Sequence, residues 1–128
     1  MKTLPNGVTI YNVTPHSVRF WAEGWEEPVE VDSDFVASAK IEEREVDNDG
    51  LVSFVETRFV KNRDTERHLD SVMEHGYEEF AHFIIVGSII AAQAYPSLVV
   101  AMTPAPGYER VPPDEKRMNP DKFTMFEE

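Results

Sequence analysis

Along the first half of the chain, apolar side chains come in short alternating runs rich in β-branched and aromatic residues. That period of two is the pattern of strands with one face buried. The runs at 8–13 (VTIYNV) and 17–22 (SVRFWA) are separated by Thr14-Pro15-His16. Their spacing predicts a hairpin with a loop of about three or four residues, its turn capped by Thr14 and His16. Further strands are expected at 28–32 (PVEVD), at 35–46 (FVASAKIEEREV) and, half-buried, at 51–60 (LVSFVETRFV), with the turn residues Asp47-Asn48-Asp49-Gly50 between the last two. A meander is the simplest arrangement of these runs.

From Asp64 the period changes. Leu69, Val72, Met73, Gly76, Tyr77 and Phe80 recur at the spacing of one helical stripe, with Asp64 or Thr65 in position to cap its start. Gly76 weakens the middle by roughly 1 kcal/mol, so one continuous helix and one with a break both fit. Residues 80–108 then carry no Asp, Glu, Lys or Arg. Within them, 83–87 (FIIVG) has the length of a buried strand, Ser88 is placed to cap a short helix through IIAAQAY, Pro96 stops it, and 98–102 (LVVAM) is a second buried strand. The expected fold class is therefore α+β: a largely antiparallel sheet from the N-terminal half, with one long helix and a short β-α-β element in the C-terminal half. A chain of 128 residues fits a single domain, 1–128, with enough interior for a real core.

Composition narrows the function classes. The absence of cysteine removes disulfides, thiolate catalysis and cysteine-ligated zinc, and fits a cytosolic protein. Pro5-Asn6-Gly7 interrupts the N-terminus before a signal-peptide core forms, and Gln93 and Pro96 argue against a membrane helix in the charge-free stretch.

The formal net charge is −12, and the distribution matters more than the sum. Residues 1–57 hold twelve acids against four bases, and 68–109 hold five acids and no base. The remaining cations cluster at Arg58, Lys61, Arg63 and Arg67, and again at Arg110, Lys116, Arg117 and Lys122. Long nucleic acid is a poor partner for so acidic a chain, because phosphate neutralisation dominates that affinity. A small anion in a local basic pocket is compatible with it, as is the plainer reading that these cations only balance neighbouring acids.

Catalytic patterns are mostly absent. There is no phosphate-binding glycine loop, dinucleotide fingerprint or nucleophile elbow. His75, Glu78, Glu79 and His82 offer one Glu-x-x-His pair, but a di-metal site needs a second, and His68, His75 and His82 are spaced at about 10 Å on a helix. Neither a metal nor a cofactor is expected. The paired carboxylates of 42–56 read as a solvated face, and nothing in the chain demands an enzyme.

Binding features are better represented. Phe80, Phe83, Tyr95 and Tyr108 supply flat rings near the charge-free core, and Arg110, Lys116 and Arg117 supply donors suited to phosphate oxygens. Gln93 is the one amide in its helix, facing solvent or a ligand edge. Pro104, Pro106, Pro112 and Pro113 stiffen the approach to the cations, reducing the entropy lost on closing around a ligand. Residues 111–118 (VPPDEKRM) suggest a one-turn helix with Pro112 or Pro113 near its first position, too short to stand alone, which must dock on its own core or on a second subunit.

Two stretches carry a resemblance. Residues 10–21 (IYNVTPHSVRFW) and 85–126 (IVGSIIAAQAYPSLVVAMTPAPGYERVPPDEKRMNPDKFTMF) resemble small phage proteins, specifically Thoeris anti-defence proteins of the first type. The resemblance spans about half the chain and leaves 23–62 unmatched. It implies a non-enzymatic sponge, acting in the cytoplasm of an infected bacterial host. Such a sponge binds cyclic ADP-ribose isomers made by TIR proteins without cleaving them, and some relatives also take up cyclic oligonucleotides. It further implies homo-oligomers, with Phe83 stacking on adenine, Gln93 at the base edge, and Arg110 with Lys116 or Arg117 on the pyrophosphate. Tyr108 joins this set by its chemistry.

Charge alone adds an argument for assembly, since an acidic chain holding an anion gains from bringing the basic tails of two subunits together, so a homo-oligomer with ligand at or near the interface is expected. Three other readings stay open. One is an acidic protein that inhibits a host nucleic-acid-binding enzyme by mimicry, another a nucleotide-processing enzyme, and the third a virion component.

Overall fold

The computed structural model describes residues 1–127. Its centre is the charge-free stretch. Strand β7 (Phe83–Gly87), helix α2 (Ile89–Ala94) and strand β8 (Val99–Pro104) form the expected β-α-β unit, with β7 and β8 parallel. The Ser88 side chain caps α2 by accepting from the Ala91 amide at 3.1 Å. Side chains alternate along both strands: Phe83, Ile85, Val99 and Ala101 face the helices, while Ile84, Val86, Val100 and Met102 face the opposite side. Two apolar clusters result, one on each side of the sheet, and a parallel pair buried on both faces gives a continuous apolar run.

Around this unit the chain lays down β1 (Lys2–Thr3), β2 (Thr9–Asn12), β3 (Val18–Phe20), β4 (Val29–Val31) and β9 (Met118–Thr124). The seven-stranded order is β1-β2-β7-β8-β9-β3-β4. Three of its pairings are parallel (β2 with β7, β7 with β8, β9 with β3) and three are antiparallel. The class is α+β as expected, with one long helix and one short, but the main sheet is mixed and nearly barrel-like instead of largely antiparallel. It curls until the chain at β4 meets β2: Asn12 Nδ2 donates to the Val31 carbonyl at 3.1 Å, and the Asp34 amide donates to the Asn12 carbonyl at 2.8 Å.

The expected hairpin between 8–13 and 17–22 does not form. β2 pairs with β1 and β7, whereas β3 pairs with β4 and β9. The reason is Asn12, which is completely buried. Its Oδ1 accepts from the Thr14 amide at 2.9 Å and the Thr14 hydroxyl at 2.7 Å, while its Nδ2 reaches the His16 carbonyl at 2.8 Å. The side chain thus turns the backbone out of the ladder, making an arch between strands.

Two further differences concern elements with weak local signals. β9 runs through Asn119, Pro120 and Asp121, residues that disfavour strands, and was not expected; Pro120 is buried and its carbonyl accepts from Asn6 Nδ2 at 3.0 Å. The helix α1 (Arg63–Glu79) is continuous and is capped by Asn62, whose Oδ1 accepts from the Asp64 amide at 3.0 Å and the Thr65 amide at 3.3 Å, so the cap lies two residues before Asp64.

The remaining strands, β5 (Ala39–Asn48) and β6 (Ser53–Lys61), form a separate two-stranded ribbon. The half-burial expected for 51–60 is confined to Phe59 and Val60 at its base. At that base the Tyr95 hydroxyl accepts from the Asn62 amide at 2.8 Å and donates to the Ser38 carbonyl, so one core ring joins the ribbon to the start of α1. Along the exposed length, Arg58 pairs with Glu42 at 2.8 Å and Arg44 with Glu56 at 2.7 Å, directly across the strands. Asp49 shapes the turn, and the amides of Val52 and Leu51 that it accepts from hold its carboxyl below the usual range.

Candidate functional site: a basic cleft at the mouth of the curled sheet

β2 and β7 are parallel, and the chain leaving their carboxyl ends enters one shared space. From β2 comes the arch Thr14-Pro15-His16-Ser17, ordered by Asn12. From β7 comes Ser88. The third wall is the segment before β9, where a 3-10 turn at Pro113–Glu115 leads into Lys116 and Met118. Together they line a cleft of about 640 Å³, within the range that holds a nucleotide-sized ligand. Position outside the carboxyl ends of parallel strands is also where open α/β sheets bind ligands.

The chemistry of the cleft is divided. Val18, Met118, Pro15 and Pro113 give it an apolar lining, while Lys116, Arg19 and His16 bring cationic or ionisable groups. The Lys116 ammonium and the His16 ring are exposed and make no hydrogen bond or ion pair among the described residues, so both are available to a ligand. The Arg19 guanidinium donates to the Asp114 carbonyl, which ties β3 to the turn, and its other donors remain. The Ser17 hydroxyl donates to Asp32 at 2.9 Å. A phosphate in this space meets point charges and forked donors on one side and apolar surface on the other.

Behind the same wall, Arg117 turns the other way. Its Cζ lies 5.1 Å from the Trp21 ring centroid and 4.8 Å from that of Tyr108, and the two rings meet edge-on at 5.8 Å. Tyr108 is therefore beside the cleft wall, as its neighbourhood in sequence suggested, but in contact with a cation of its own chain.

The other expected ligand residues lie elsewhere. Phe83 is 4% exposed, stacks on Phe80 with ring centroids 6.0 Å apart, and borders two clefts beneath α1 without entering the basic one. Gln93 is exposed on α2 and lines a separate hollow with Arg58, Phe59 and Phe126. Arg110 is exposed, with no hydrogen bond, ion pair or ring contact among the described residues. Within one chain, the structure brings Lys116 together with Arg117 and Tyr108 across one wall; it does not bring Phe83, Gln93 or Arg110 to them.

Sequence reasoning missed His16 and Arg19 as site residues, the first having been assigned to a turn and the second to a strand. The signal was their density, since Thr14, His16, Ser17 and Arg19 fall within six positions of a stretch that carries the resemblance. Among the described residues, no group of three or more His, Asp or Glu side chains is arranged to hold a metal ion, and no helix is long and apolar enough to cross a membrane. Half-buried Tyr11, whose hydroxyl meets His68 Nε2 at 3.1 Å, has its pKa raised by partial burial and by the nearby Asp34 carboxylate. The chain matches no family model, no curated protein and no solved structure.

Proposed function

We propose that this protein binds a small phosphorylated nucleotide in the mouth cleft and holds it without chemical change. A cyclic ADP-ribose isomer made by a TIR enzyme is the ligand that the resemblance to phage Thoeris anti-defence proteins suggests. The observation that carries the reading is the cleft of about 640 Å³ in which Lys116, Arg19 and His16 converge on an apolar floor. A nucleotide divides in the same way, into a charged phosphate part and a flat, weakly polar base. The hydroxyls at the cleft are each engaged within the chain, Ser17 donating to the Asp32 carboxylate, Thr14 donating to Asn12 Oδ1 and Ser88 accepting from the Ala91 amide. Sequestration is the activity this supports.

The test is to purify the protein from cells that make TIR products, heat it, and identify the released small molecules by mass. An intact cyclic nucleotide is the expected result. In calorimetry, Lys116→Ala is expected to weaken binding by roughly ten- to a hundredfold, the equivalent of about 1.5–3 kcal/mol for a contact to a charged group. A wild-type protein that retains nothing, or releases a cleaved product, overturns the reading. The acidic-mimic alternative would instead predict capture of a host enzyme with Lys116 irrelevant.

Self-association belongs to the same proposal. A two-stranded ribbon is marginal alone, exposed ion pairs such as Arg58–Glu42 add at most about 1 kcal/mol each, and yet β5–β6 leaves Ile41, Val46, Leu51, Val52, Phe54 and Val55 in solvent. A second copy is the occupant we assign to this surface. The ribbon face that carries Phe54 also carries Glu42, Arg44, Glu56 and Arg58, which alternate in sign, so a twofold-related ribbon can oppose acid to base there, while Ile41 and Val55 lie on the other face. Leu51→Ser combined with Phe54→Ser is expected to convert an oligomer to a monomer in sedimentation. An unchanged oligomer, or a monomeric wild type at micromolar concentration, refutes this arrangement.

A further inference from the structure

We infer that Arg117 is a positioning residue for the cleft, a clamp that turns Lys116 toward the ligand, and that it does not contact the ligand itself. The inference rests on the mouth cleft being the ligand site. It starts from the backbone: Lys116 is extended (φ −62°, ψ 136°) and leads directly into β9. In extended chain, successive side chains point to opposite sides. Whatever fixes the direction of residue 117 therefore fixes 116 and 118 the other way. Here Arg117 lies against Trp21 and Tyr108, while Lys116 and Met118 line the cleft.

The clamp is itself anchored. Trp21 is held by its indole N–H to the Trp25 carbonyl at 2.9 Å and by its amide to the Met118 carbonyl at 3.0 Å. The Tyr108 amide bonds the Ala105 carbonyl at 3.0 Å, across a turn that needs the left-handed conformation of Gly107, and the Ala105 amide bonds the Arg117 carbonyl at 2.8 Å. The segment also carries Glu109, Asp114 and Glu115, yet Arg117 makes no ion pair among the described residues. Its charge is committed to ring faces, an attraction that strengthens as water is excluded. A guanidinium held beside two anchored rings keeps its direction well, with little entropy left to lose.

The experiment uses the full chain with ADP-ribose as the probe, titrated at several salt concentrations, together with amide hydrogen exchange over 114–118. Arg117→Met keeps the aliphatic stem and removes the cation. It is expected to weaken binding about tenfold, to leave the salt dependence as in the wild type, and to speed exchange at Lys116 and Met118. Trp21→Leu changes no charge and is expected to reproduce all three effects, whereas Lys116→Ala reduces the salt dependence because it removes a phosphate contact. Arg117→Lys, which keeps charge without the planar stack, is expected to fall between wild type and Arg117→Met.

The inference is overturned if Arg117→Met reduces salt dependence as Lys116→Ala does while Trp21→Leu binds normally, the pattern of a direct ligand contact. If the wild type does not bind ADP-ribose, the cleft rejects the linear nucleotide, and the cyclic ligand is judged by the released-molecule experiment alone. Exchange at Lys116 and Met118 then decides the clamp alone, and unchanged protection in Arg117→Met refutes it.

Discussion

Replacing Gly76 with alanine is expected to destabilise the protein by roughly 2 kcal/mol, although in an ordinary helix the same change stabilises by about 1 kcal/mol. The sign reverses because a Cβ at position 76 meets the Phe83 ring, with atoms at 2.2, 2.4 and 2.5 Å, well inside contact distance. Phe83 has little room to retreat, since it is 4% exposed and packed against Phe80 and Tyr11. Overpacking of a close-packed interior costs about 1–3 kcal/mol, more when the neighbour cannot shift. In a domain of this size the loss corresponds to a fall in melting temperature of roughly 8 °C. The double variant Gly76→Ala with Phe83→Ala separates the causes, because it removes the ring atoms that collide and keeps the helix gain. It is expected to unfold closer to a Phe83→Ala control than Gly76→Ala does to wild type. A single variant as stable as wild type in thermal denaturation would place α1 farther from β7 than described.

Asn12→Ala is expected to cost more, about 3 kcal/mol, with an effect on the site as well. Asn12 joins the Thr14 amide, the Thr14 hydroxyl and the carbonyls of His16 and Val31 in a buried network. Truncation leaves the Thr14 amide without its side-chain acceptor and takes one donor from the Val31 carbonyl, and a buried group left unpaired costs about 1–3 kcal/mol. The Thr14 hydroxyl already lies 2.8 Å from the His16 carbonyl and can serve it, which limits the loss. Asn12→Asp is the sharper probe: it keeps the acceptor, removes both donors, and sets a charge against two carbonyl oxygens. It is expected to be at least as destabilising as alanine near neutral pH. Because the same network shapes the arch that carries His16, both variants should also weaken nucleotide binding beyond what global unfolding explains. Urea denaturation with an unchanged m-value measures the first effect, and a loss below about 1 kcal/mol would mean that the arch is held by something else.

These two residues mark where sequence reading succeeded and where it could not reach. Gly76 was visible as a weak point in a helical stripe, and α1 formed through it, since the stripe of Leu69, Val72 and Met73 is a local pattern recording which face is buried. The reason for a glycine was invisible, because Phe83 reaches position 76 only after the chain has turned back. Asn12 carried no signal at all: an asparagine between Tyr11 and Val13 reads as a turn or a solvated strand position until four partners surround it. β9 was missed for a related reason, as Pro120 and Asp121 deny it strand propensity and its pairing with β8 and β3 supplies the order instead.

The site divides along the same line. Lys116, Arg117 and Tyr108 were singled out from composition, and all three fall in or behind one wall of the basic cleft. His16 and Arg19, on the other walls, are almost a hundred positions away from Lys116 in the chain. What the sequence alone determined was the inventory: the helical stripe, the β-α-β unit capped by Ser88, the two basic segments and the stiff proline tail. Strand order, the direction of pairing, the exposure of the ribbon and the company each cation keeps were decided only in three dimensions. Alternation along a strand records which side is buried, but the backbone hydrogen bonds that choose its neighbour are alike for every residue type and carry no sequence mark.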